Sequence, residues 1–114
     1  MNALPVLDKK ILAKLCSDLG EESADFLIKS LVKEIHNSEA VIVEYADTRN
    51  MHMLENQAHA LKSAVRSFGA LKLGADCLAL EESAKAGKNA SEIAKLIADF
   101  KFTAAETLKV FANL

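Results

Sequence analysis

A chain of 114 residues, 51% of them apolar and 26% charged, has the size and composition of one domain, residues 1–114, with a single core. That balance excludes disorder. The formal charge of −2 gives no field to draw nucleic acid or an anionic membrane, and no apolar run approaches bilayer-spanning length.

Few glycines, one proline and an abundance of Ala, Leu, Lys and Glu favour helix throughout. Met1-Asn2-Ala3-Leu4-Pro5 has neither a basic start nor an apolar secretory stretch, so a cytoplasmic location is expected. Asp8 is placed to cap a short first helix whose apolar positions are Ile11, Leu12, Leu15 and Leu19, with Gly20 ending it. A long second helix is predicted over residues 22–46, with the stripe Ile28, Leu31, Ile35, Ile42, Tyr45. Residues 47–50 break the pattern, and Asn50 is a good N-cap for a third helix that Gly69 closes. The fourth is predicted over residues 70–86, burying Leu73, Cys77, Leu80 and Ala84, and Gly87 closes it. Asn89 with Glu92 three residues on reads as a capping-box variant opening the fifth, whose apolar face is Ile93, Ile97, Phe100, Ala104, Leu108 and Phe111. Short connections make sequential helices antiparallel neighbours. The expected fold is all-α: an antiparallel up-down four-helix bundle with an additional short N-terminal helix across one end. Cys16 and Cys77 lie at apolar positions and read as buried, reduced thiols.

The third helix carries the chemistry. With His59 as the origin of angle, His52, Glu55, Asn56, Lys62, Ser63 and Arg66 fall within roughly 60° of it, and Leu54, Ala58, Leu61, Val65 and Phe68 gather opposite. The imidazole should therefore face water. Residues 1–58 carry ten acids and six bases, residues 59–114 six acids and eight bases, so His59 lies in the slightly basic half. No glycine-rich phosphate loop, no Gly-x-Ser-x-Gly elbow and no Cys/His pairing is present. What remains is an exposed neutral imidazole, a competent nucleophile near neutral pH. It could take a phosphoryl group on a ring nitrogen, with Lys62, Arg66 and Lys85 as the nearby cations. On residues alone, this pattern favours a surface histidine without a role.

The run His59-Ala60-Leu61-Lys62-Ser63, with Phe68-Gly69-Ala70, Leu73, Leu80-Glu81 and Lys85, resembles the signature of histidine-containing phosphotransfer (HPt) domains. That signature reads His-x-Leu-Lys-Gly, a further Gly-Ala, then a helix ending in Leu-Glu and a basic residue. Asn50 stands where the family often has Asp. Ser63 departs from the usual glycine and is similar to single-domain phosphorelay proteins of vibrio-type quorum sensing. The resemblance implies a cytoplasmic phosphoryl carrier of a bacterial multistep phosphorelay, with no kinase activity of its own. His59 would accept a phosphoryl group from a receiver-domain aspartate of a hybrid sensor kinase and pass it to an aspartate of a response regulator. It further implies that Lys62 stabilises phosphohistidine, with Arg66 and Lys85 as weaker candidates, and that Ser63 and Gly69 shape the docking surface. The partner receiver would supply Mg²⁺, so this chain would need no cofactor or metal ligands of its own. A monomer is expected, with no nucleic-acid or membrane partner.

Three other readings compete. A dimerising kinase helix would have an acid where Ala60 stands and a proline at Ala64. A metal site could use His52, Glu55 and His59, at helical spacings of three and four, although bundle metal sites normally project inward. The third is a non-catalytic helical adaptor for protein interactions. His36 reads as a solvated surface residue.

Overall fold

Asp8 opens α1 (Lys9–Leu19) by accepting hydrogen bonds on its carboxylate from the amides of Lys10 and Ile11, two of the donors that a helix start leaves without partners. The computed structural model describes residues 2–114, which form α1, α2 (Glu21–Asp47), α3 (Met51–Ser67), α4 (Leu71–Lys85) and α5 (Ala90–Ala112); no strand occurs among them. Asn50 caps α3 through its side-chain oxygen, which accepts from the Met53 amide, and Asn89 caps α5 by accepting from the amide of Glu92. Each helix boundary lies within a residue or so of its sequence expectation.

The four longer helices close a ring: α2 packs on α3, α3 on α4, α4 on α5, and α5 returns to α2, while α1 lies against α2. Leu31, Ile35 and Ile42 of α2, Leu54, Leu61 and Val65 of α3, Leu73, Cys77 and Leu80 of α4, and Ile93, Phe100 and Phe111 of α5 fill the centre. This is the predicted core in most positions. Leu19 departs from it and is 41% exposed, because it ends α1, whose helix contacts run to α2. Cys16 is only half-buried. Ser38, Thr103 and Thr107 are buried although the apolar stripes omit them. Two of them bond locally: the Ser38 hydroxyl donates to Glu34 and accepts from the Gln57 amide, and the Thr107 hydroxyl donates to the Thr103 carbonyl. Such bonds remove most of the cost of burying a hydroxyl.

The contact between α3 and α4 is the most extensive in the molecule, and small residues permit it. Gly74 faces Arg66 so closely that a Cβ there would stand 2.8 Å from the Arg66 Cγ. The turn joining the two helices is clasped by the segment ahead of α1. The Asp8 amide donates to the Gly69 carbonyl at 2.7 Å, and the Lys72 amide donates to the Pro5 carbonyl at 3.0 Å. No helix of the described residues is long and apolar enough to cross a membrane.

Candidate functional site

His59 lies midway along α3 on its outer face, with 60% of its side chain exposed. Its Nδ1 is 2.8 Å from Oε2 of Glu81, on the neighbouring helix α4. An ionised carboxylate can only accept, so Nδ1 carries the ring proton and Nε2 carries the lone pair. The tautomer is therefore fixed by a residue 22 positions away in the chain. Lys62, one turn on from His59, donates to the other oxygen of the same carboxylate, with Nζ 2.6 Å from Oε1.

Glu81 thus holds the imidazole and the ammonium together. Its carboxyl is pulled below its ordinary value of 4.5, first by the hydrogen bond from Lys62 and then by that from His59, against an opposing effect of burial. It stays ionised throughout the neutral range and remains an acceptor to both partners.

The structure modifies several sequence expectations. Lys62 is not a free surface cation: its side chain is 13% exposed and paired with Glu81. Arg66 is exposed in the last turn of α3, its stem lying over Gly74. It is two turns from His59, roughly 10 Å along the axis. Lys85 is exposed in the last turn of α4, one turn past Glu81. Among the described residues neither Arg66 nor Lys85 takes part in an ion pair. Ser63 is exposed beside His59, as is Ala60, so the surface around the ring is low.

Gly69 lies in the turn between α3 and α4. It is buried, and its φ of +87° is one that glycine adopts freely. A Cβ there would meet the Asp8 carbonyl oxygen at 2.6 Å. It builds that turn. His52 lies two turns back, its Nε2 3.3 Å from the Asn56 side-chain nitrogen. His36 is exposed on α2. Among the described residues no three His, Cys, Asp or Glu side chains converge to hold a metal, so His52, Glu55 and His59 do not form a ligand set.

Glu81 is the site residue that sequence reasoning missed. It appears in the sequence only as part of the Leu80-Glu81 pair. The available signal was its place on the margin of the buried stripe Cys77, Leu80, Ala84, beside the helix that carries His59.

The phosphorelay protein LuxU of Vibrio cholerae is 31% identical to the chain over 74 residues, which make up 65% of this chain and 66%, just under two thirds, of that protein. LuxU of Vibrio harveyi is 26% identical over 83 residues, covering 73% of each. The crystal structure of histidine-containing phosphotransfer protein B (HptB) from Pseudomonas aeruginosa PAO1 superposes with a TM-score of 0.89 and 25% identity, over 98% of this chain and 95% of that one. In sequence and in fold the chain is similar to histidine-containing phosphotransfer proteins. No family model matches it, so the likeness to HPt proteins rests on these relatives and on the superposition.

Proposed function

We propose that this chain is a cytoplasmic phosphoryl carrier of a bacterial phosphorelay, a single domain over residues 1–114 arranged as an antiparallel up-down four-helix bundle with α1 added. His59 takes the phosphoryl group from a receiver-domain aspartate of a hybrid sensor kinase and returns it to the receiver aspartate of a response regulator. The observation that carries this reading is the half-exposed ring whose Nδ1–H is held by Glu81. Nε2 attacks phosphorus, its lone pair forms the N–P bond, and the P–O bond to the aspartate breaks, with the electron pair leaving on the carboxylate. The attacking nitrogen has no proton to lose, so the step needs no general base. The ring becomes cationic as it is phosphorylated, and the Glu81 carboxylate stabilises that charge through Nδ1–H.

Lys62 stands one turn from the ring with two N–H donors beyond the one given to Glu81, and these are assigned to the phosphoryl oxygens. Arg66 and Lys85 contribute longer-range positive charge. Ser63 and Ala60 leave room for the partner surface. Mg²⁺ is assigned to the partner receiver domain, and no step is routed through it.

His59→Gln should abolish acid-labile labelling by a phosphorylated receiver domain while the far-ultraviolet circular dichroism stays helical. Labelling that persists in this variant would exclude His59 as the acceptor. Lys62→Ala should slow transfer by about tenfold; unchanged single-turnover kinetics would remove Lys62 from the mechanism.

A further inference from the structure

Phe26 projects from α2 with 70% of its surface exposed, more than any other large apolar side chain among the described residues. It stands between two hollows. One, of about 590 Å³, is lined by Lys29, Val32, Lys33 and Phe111; the other, of about 440 Å³, is lined by Glu22, Ser23 and Leu27. On a helix, Glu22, Phe26, Lys29 and Lys33 fall on one stripe roughly 60° wide, and all four are exposed. Charge is ordered along it: Glu22 lies toward the N-terminal end, Lys29 and Lys33 toward the C-terminal end.

We propose that this stripe is a self-association surface, occupied by α2 of a second copy of the chain running antiparallel about a two-fold axis. An axis between Phe26 and Lys29 sets Glu22 against Lys33 of the second copy and Phe26 against Lys29 of the second copy, and symmetry makes each contact twice. Phe26 then lies on an ammonium and enters the hollow closed by Phe111 of α5. A parallel arrangement would place like charges together. An acidic peptide would be repelled at one end of the stripe and a basic one at the other. A reversed copy of the same gradient satisfies both ends.

A few helical turns and one aromatic cover less than the roughly 800 Å² per partner of a standard interface. The dimer is therefore weak, with a dissociation constant on the order of 100 µM, and dilute protein is the monomer expected from sequence. The Ser38–Gln57 bond marks the level at which α2 meets the middle of α3. Ser38 points roughly 150° around α2 from the Phe26 stripe, so pairing takes place on the side of α2 turned away from α3 and leaves His59 open.

Sedimentation velocity across a concentration series tests the proposal. The wild-type weight-average coefficient should rise with concentration, and Phe26→Glu should stay monomeric with unchanged helicity and unchanged labelling of His59. Glu22→Lys and Lys33→Glu should each weaken association by about fivefold, and the double variant E22K/K33E should recover to within about twofold of wild type. A wild type still monomeric at about 1 mM, or a double variant no tighter than either single one, overturns the proposal.

Discussion

Replacing Glu81 with Gln keeps a carbonyl oxygen that can accept from Nδ1–H of His59 but removes the charge that Lys62 and a cationic ring both need. Transfer by E81Q should be slower by about tenfold, and nitrogen-15 chemical shifts should show the neutral ring still protonated on Nδ1. A transfer rate equal to wild type would show that the carboxylate charge plays no part. The same residue carries a pH dependence of stability. Its carboxyl titrates lower in the folded protein than its ordinary value of 4.5. Its contribution is therefore complete above that value and is lost as the pH falls through the depressed one. Urea midpoints of wild type and E81Q should differ at neutral pH and converge in acid; a constant gap would contradict this. Cys77 is pushed up to about 12, mainly by burial, so it is a thiol at any neutral pH. Iodoacetamide should leave Cys77 unmodified until the protein unfolds, and rapid native alkylation there would show that the core opens. His59 was legible because period and polarity alone decide which way a helical residue faces. Glu81 was not, because its role depends on a contact across to α3 that spacing within α4 does not encode.

Gly69 is the position where one methyl group would disturb an element boundary most. Gly69→Ala places Cβ against the Asp8 carbonyl and forces a side chain into a positive-φ conformation. It should destabilise the fold by about 2 kcal/mol or more, and a thermal or urea midpoint equal to wild type would remove the clasp from the account. The elements themselves were largely readable, since Asp8, Asn50 and Asn89 are capping residues placed immediately before apolar periodicity. The omissions have one physical origin. Ser38 and Thr107 are polar in a list of residue types, but local hydrogen bonds let them sit in the core. Leu19 is apolar, but it lies at the end of a helix that packs on one neighbour.

At the scale of the whole molecule, the transfer face and the Phe26 ridge occupy different parts of the surface, so a carrier could associate with its own kind while serving a receiver domain. The face around His59 was legible in part, as the polar side of α3, and the Phe26 ridge was not. His59 was found as a residue, and Phe26 stood in the sequence as one more apolar position near the start of α2, because exposure depends on which helices close the ring. The clasp between residues 5–8 and residues 69–72 has a kinetic consequence. It joins parts of the chain about sixty residues apart, whereas the helical hairpins pair neighbours in sequence. Closing so long a loop costs more entropy than pairing adjacent helices. The N-terminal segment should therefore dock after the rate-limiting barrier to folding. Loosening it, as in Gly69→Ala, should speed unfolding and leave the refolding arm of the chevron nearly unmoved.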